Sequence, residues 1–226
     1  MITSHDNPKL KEARKLADRR WRDRTGRFLA EGEDLVAAAE EAGWGPAWTL
    51  RAGVDVDAPL LDGVSSLGSG TRVMAAYEQR WAPEATAPCV ALWGVHDPGN
   101  VGTVLRSALA FGAASVALGP DCADPYGPKA VRGSMGAIFA VPLVRVESAG
   151  ELPAPRVALV ARQGVELETV EAAGTLLVGG ERQGIPDAVV QECEAVAHIP
   201  IGSESLNAAM AATVGLYRLS RIARHA

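Results

Sequence analysis

Apolar and polar positions fall into two different patterns along this chain, with a change near residue 80. Beyond it, apolar residues come in short runs at 89–93 (CVALW), 114–118 (ASVAL), 157–160 (VALV), 175–178 (TLLV) and 195–199 (AVAHI), with Ser115, Thr175 and His198 as their polar members. Runs without a polar alternation suit strands covered on both faces, as in a parallel sheet. Between the first two runs, Val101, Val104, Leu105, Ala108 and Leu109 fall at i, i+3, i+4, i+7 and i+8. That spacing lines one face of a helix, predicted over 101–112. A long final helix is predicted over 205–222. Buried strands alternating with helices predict an α/β fold with a doubly wound parallel sheet.

The first 80 residues follow a different pattern. A helix is predicted over 7–20, with Asn7 as N-cap and Pro8 at the first helical position. Its apolar stripe (Leu10, Ala13, Ala17) is thin, so much of it faces solvent. A strand is predicted at 27–30, a helix over 33–42 closed by Gly43, and a second apolar run at 47–50. Up to about Tyr77 this is a small α/β pattern. Residues 79–88, QRWAPEATAP, carry two prolines and no periodicity, which marks a boundary. The expected organisation is a small α/β domain over 1–80, a linker over 81–88 and a larger domain over 89–226.

Composition narrows the class. A length of 226 residues suits two such domains, and 48% apolar with 22% charged residues excludes wholesale disorder and coiled coil. No apolar run approaches the ~18 residues of a membrane span, and residues 1–11 lack the apolar core of a signal peptide. Cys89, Cys122 and Cys193 lie far apart with no CxxC pair, so a reducing, cytoplasmic setting is expected, without a disulfide framework or structural zinc. The net charge of −5 hides an asymmetry. Residues 1–27 hold nine basic side chains (Lys9, Lys11, Arg14, Lys15, Arg19, Arg20, Arg22, Arg24, Arg27) against four acidic ones, a surplus of five. The remainder carries thirteen basic and twenty-three acidic residues. A basic segment on an acidic body fits a polyanion such as nucleic acid; Trp21 stands among the arginines, as a core residue or as a surface for a base.

Ligands of open α/β sheets bind beyond the C-terminal ends of the strands. Three segments rich in glycine and polar residues lie there: 97–106 (DPGNVGTVLR), 179–186 (GGERQGIP) and 199–207 (IPIGSESLN). Familiar nucleotide signatures fail on them. GGERQG is not G-x-G-x-x-G, and Ile185-Pro186 stand where a P-loop needs Lys and Ser/Thr. The histidines, His198 included, have no metal-ligand spacing. Arg106 falls off the apolar stripe of its helix, and a guanidinium suits a phosphate or ribose site. Asn100 stands where the 101–112 helix needs an N-cap, and Ser205 where the last helix does. Glu181 follows a buried strand, and Gly179 permits close approach to the chain.

Together the three segments resemble the motifs of the SpoU (TrmH-like) family of RNA 2′-O-ribose methyltransferases, in the SPOUT superfamily. The first is Asp97-Pro98-Gly99-Asn100-Val101-Gly102 with Arg106 and Phe111-Gly112; the second is Gly179-Gly180-Glu181 with Gly184-Ile185. The third is Ile199-Pro200, then Ser205-Leu206-Asn207, opening a helix that carries Leu216-Tyr217. Residues 131–143 are similar to the stretch between the first two motifs, and residues 2–36 to the ribosomal-protein-like substrate domain that precedes many such enzymes. The resemblance implies a C-terminal domain with a deep trefoil knot, S-adenosylmethionine as cofactor, and a homodimer with Arg106 serving across the interface. It implies catalytic roles for Arg106, Asn100, Glu181, Ser205 and Asn207, and cofactor contacts from Gly179, Ile199 and Leu206, with no metal. The activity implied is ribose 2′-O-methylation of RNA, rRNA before tRNA. A non-catalytic RNA-binding or ribosome-assembly factor on the same fold is the alternative. Two departures stand out: only four residues separate Pro200 from Ser205, and Arg182 replaces a common glycine.

Overall fold

The N-terminal amphipathic stretch folds as two helices, not one. In the computed structural model, which describes residues 1–67, 70–202 and 205–223, α1 (Pro8–Leu16) ends and α2 (Arg19–Thr25) begins within three residues. Asp18 makes the break: its carboxylate accepts from the Arg20 amide at 2.8 Å and caps the second helix. A short polar side chain that competes for backbone donors favours a cap over helix interior. Then follow β1 (Arg27–Glu31), α3 (Glu33–Glu41), β2 (Trp48–Arg51), α4 (Ala58–Asp62) and β3 (Val73–Glu78). Next come β4 (Cys89–Trp93), α5 (Pro98–Phe111), β5 (Ser115–Leu118), α6 (Pro128–Gly133) and α7 (Ala137–Ala140). The chain ends with β6 (Leu143–Arg145), β7 (Arg156–Leu159), β8 (Val165–Glu166), β9 (Thr175–Gly179), α8 (Asp187–Val190), β10 (Ala195–His198) and α9 (Ala208–Ala223).

The chain divides into two units, and the first is not continuous: it comprises Met1–Gln79 and Asp124–Ala140. Its sheet is antiparallel in the order β1-β3-β2. Strand alternation sends Phe28 and Leu29 to opposite faces. Leu29 joins Leu10, Leu16, Leu50, Leu61 and Met74 in one apolar layer. Phe28 faces Trp44, Tyr77, Tyr126 and Phe139, with ring centroids 4.7–6.1 Å away. Two of those rings come from 124–140, and the Trp44 indole donates to the Phe139 carbonyl at 2.8 Å. Asp124 also reaches back, taking the Arg22 Nε at 2.7 Å, with both side chains buried. A continuous division at 81–88 leaves this segment in the other domain. Its aromatic residues and its buried ion pair are what group it with the first unit.

The second unit, Arg80–Ala123 with Val141–Ala226, holds a seven-stranded sheet in the order β6-β5-β4-β9-β7-β10-β8, every pairing parallel. Five of its seven strands are the short apolar runs, and all of β4 and β5 is buried. Each buried Val or Leu contributes about 1.5–3 kcal/mol relative to exposure. Strand order departs from chain order at the right of the sheet: β9 inserts between β4 and β7, and β10 between β7 and β8. Helices α5 and α9 pack together, with Ser107 and Thr213 hydroxyls 2.7 Å apart. No helix among the described residues is long and apolar enough to cross a membrane.

Candidate active site

Helix α5 starts three residues before its apolar stripe does. Asp97, not Asn100, is the N-cap: its carboxylate accepts from the Gly99 amide at 2.8 Å, and Pro98 takes the first helical position. A proline there loses no hydrogen bond, since that N–H would be unpaired anyway. Asn100 therefore lies in the first turn with its side-chain amide available. At the other helix, Asn207 is the residue whose side chain caps, not Ser205: its Oδ1 accepts from the Ala209 amide at 2.9 Å and from Met210 at 3.3 Å. Helix α9 accordingly begins at Ala208.

These two corrections build one structure. With Asn207 Oδ1 turned to the helix amides, its Nδ2 faces outward and donates to Asn100 Oδ1 at 3.1 Å. The Asn100 amide is oriented in turn, and its Nδ2 donates to Glu181 Oε1. The direction of the whole chain follows from the N–H groups at the start of α9, which can only donate. Residues 81 and 107 positions away from Asn100 are thus joined to it, and all three segments predicted to carry chemistry meet at the C-terminal ends of β4, β9 and β10.

Beside this chain lies a cavity of about 300 Å³. Leu159, Val178, Ile199, Ile201 and Leu206 give it apolar sides, and the turn after β9 closes it. That turn is held by the Gly184 amide donating to the Gly180 carbonyl at 2.9 Å. Its glycines serve the chain itself: a Cβ on Gly179 would stand 2.2 Å from the Gly184 carbonyl carbon, and one on Gly180 would stand 2.1 Å from the Gly94 oxygen. The close approach at Gly179 is therefore backbone on backbone.

Of the predicted site residues, Gly179, Glu181, Ile199, Ser205 and Leu206 line the cavity, while Asn100 and Asn207 form the hydrogen-bonded chain. Arg106 does neither. It is exposed on α5, and among the described residues no hydrogen bond or ion pair holds its guanidinium. The short connection from Pro200 to Ser205 includes residues 203 and 204, which lie outside the described residues. His198 lies in β10, and no described group of three or more His, Cys, Asp or Glu side chains is placed to hold a metal. The wall formed by Leu159, Val160 and Ala161 is not among the segments singled out from the sequence. The signal was present, since these residues end a buried parallel run, the same position that singled out the other three segments.

This geometry agrees with comparisons to known proteins. The sequence model of the SpoU rRNA Methylase family matches residues 87–217, and that of the MRM3-like substrate binding domain matches residues 7–55. The chain is 29% identical to the 23S rRNA (guanosine(2553)-2′-O)-methyltransferase RlmP of Bacillus subtilis, over 96% of this chain and 98% of that protein. It is 30% identical to the 23S rRNA (uridine(2479)-2′-O)-methyltransferase of Streptomyces viridochromogenes, over 91% of this chain and 86% of the relative. Among solved structures, the AdoMet-bound rRNA methyltransferase of Sinorhizobium meliloti superposes with a TM-score of 0.88 at 29% identity, covering 97% of both chains. With its three motifs joined at one sheet edge and its match over residues 87–217, the chain belongs to the SpoU rRNA methylase family.

Proposed function

We propose that this protein methylates a ribose 2′-oxygen of ribosomal RNA, using S-adenosylmethionine. The observation that carries this reading is the hydrogen-bonded chain from Asn207 through Asn100 to Glu181 on the rim of the cavity. The cavity fits the cofactor: its volume falls in the ~300–1,000 Å³ range of small-molecule sites, with apolar sides and a few polar groups. Gly179, Ile199 and Leu206 would hold it. When bound, S-adenosylmethionine supplies an electrophilic sulfonium methyl group. The protein's own part is to position and to handle the proton. Glu181, oriented by Asn100, would fix the reacting ribose, with Ser205 and Asn207 beside it. Arg106 would stabilise negative charge developing on the 2′-oxygen, a role that suits a permanently charged guanidinium better than that of a base.

Arg106 requires a second copy of the chain. It stands on α5 near Leu109, while Met210, Val214 and Tyr217 on α9 form an exposed stripe at i, i+4 and i+7. An apolar face of this kind supports a homodimer in which each protomer lends Arg106 to the other. The insertions of β9 and β10 into the sheet support the trefoil knot of the family. For RNA, we infer a recognition role for the first unit. Lys15 Nζ lies 4.4 Å from the Trp21 ring centroid and the Arg24 guanidinium 5.2 Å, beside an open cavity of about 350 Å³. Arg22 leaves that basic set, because it is buried against Asp124. Free cysteines and an rRNA substrate together support action in the cytoplasm.

The test combines binding with activity. Calorimetry should detect S-adenosylhomocysteine binding to the full chain, and ribose-methylation mapping should find an rRNA nucleotide that loses its mark in cells without the gene. Arg106→Ala should cut tritiated-methyl transfer by about 100-fold, the scale of losing a charge stabiliser, with cofactor affinity retained. No cofactor binding at millimolar ligand overturns the enzyme reading in favour of a non-catalytic RNA-binding protein. A methylated tRNA nucleotide overturns the rRNA assignment.

A further inference from the structure

The cavity beside β9 has mostly apolar walls, so any charge on them bears directly on what it holds. Among the described lining residues, Glu181 is the one acid and Arg182 the one cation. Glu181 is committed, since it accepts from Asn100. Arg182 is exposed, and among the described residues no hydrogen bond, ion pair or ring contact engages its guanidinium. Its backbone is nevertheless fixed. The turn from Gly180 to Gly184 is closed by the 2.9 Å bond between them, and Gly180 is tied to Trp93 by its amide at 2.9 Å. A rooted backbone thus carries an unengaged cation on the cavity wall.

We propose that Arg182 binds the α-carboxylate of the cofactor's methionine end and selects for ligands that carry it. This rests on the S-adenosylmethionine reading and adds a specific residue to it. The reasoning is one of charge. S-adenosylmethionine has two cationic groups, the sulfonium and the ammonium, and a single anionic one, the carboxylate. The sole described cation of the wall is repelled by the first two and attracted by the third. A guanidinium fork matches a carboxylate with two parallel hydrogen bonds.

Decarboxylated S-adenosylmethionine keeps both cationic groups and the adenosine but lacks the carboxylate, so the two ligands isolate the contact. Calorimetry on the full chain should show Arg182→Gln weakening S-adenosylmethionine by about tenfold, the scale of one charge-assisted bond. Affinity for the decarboxylated ligand should not fall, and should rise as the repulsion from its two cationic groups is relieved, which also shows that the cavity remains folded. Arg182→Lys should recover part of the loss. Equal weakening of both ligands, or of neither, overturns the proposal. A variant that keeps cofactor affinity but binds 23S rRNA more weakly in a filter assay overturns it too, and assigns Arg182 to a phosphate. Failure of the wild-type chain to bind S-adenosylmethionine removes the cofactor reading itself, whereas wild-type binding with an unchanged variant removes only this inference.

Discussion

Asn207 does two jobs with one amide: its oxygen caps α9 and its nitrogen orients Asn100. Substitution can separate them. Asp at an N-cap is as good as Asn, and its charge suits a helix N-terminus. Asn207→Asp should therefore keep the melting temperature while losing the donor to Asn100 and setting two acceptors face to face. Methyl transfer should fall by about tenfold or more, the cost of leaving a polar group unpaired. Asn207→Ala should lose activity and also about 1 kcal/mol of stability with the cap. Thermal melts read alongside the methyl-transfer assay distinguish the two; a full loss of stability in Asn207→Asp would refute the split. Residue types at Asn100 and Asn207 were legible in the sequence. The capping assignments were not, because Asp97 and Ser205 are equally good caps by type. Only the placement of the backbone amides decides between neighbours.

At the scale of elements, buried strands were the easiest to read. β4, β5, β7, β9 and β10 are predominantly apolar runs, and each is found within a residue or so of its predicted place. β8 was illegible because Val165 and Glu166 are both exposed and are held only by pairing with β10. The end of the sheet away from the cavity has its own clamp. Glu194, just before β10, accepts from the Arg156 amide at 2.6 Å and from its guanidinium at 3.2 and 2.6 Å, at the start of β7. Those bonds from Arg156 hold the Glu194 carboxyl down to about 2 from its ordinary 4.5. A depressed carboxyl favours the folded state fully above its unfolded value and stops doing so as pH falls through its folded one. The stability gap between wild type and Glu194→Gln should thus be present at neutral pH and close between about 4.5 and about 2. Denaturation midpoints across that range check it, and a gap independent of pH would contradict the assignment.

For the whole molecule, the division into units matters most, and its contiguous half was visible in the proline-rich stretch at 79–88. The return of Asp124–Ala140 to the first unit was not, since pattern and spacing carry no information on partners far away in sequence. The Arg22–Asp124 pair gives this return a measurable weight. Asp124→Ala leaves a buried guanidinium whose remaining acceptors, among the described residues, are the Leu16 and Ala17 carbonyls, each at 2.8 Å. The cost should be about 3 kcal/mol, the lower end for breaking a buried pair, because those two acceptors remain. A chemical denaturation curve within error of wild type would show the pair to be dispensable. The discontinuity also has a consequence for synthesis. A ribosome makes residues 1–79 first, yet two of the rings that pack on Phe28, those of Tyr126 and Phe139, leave the exit tunnel only after β4 and β5 have been made. The first unit is the first to be translated and cannot complete its aromatic core until the opening strands of the methyltransferase sheet already exist.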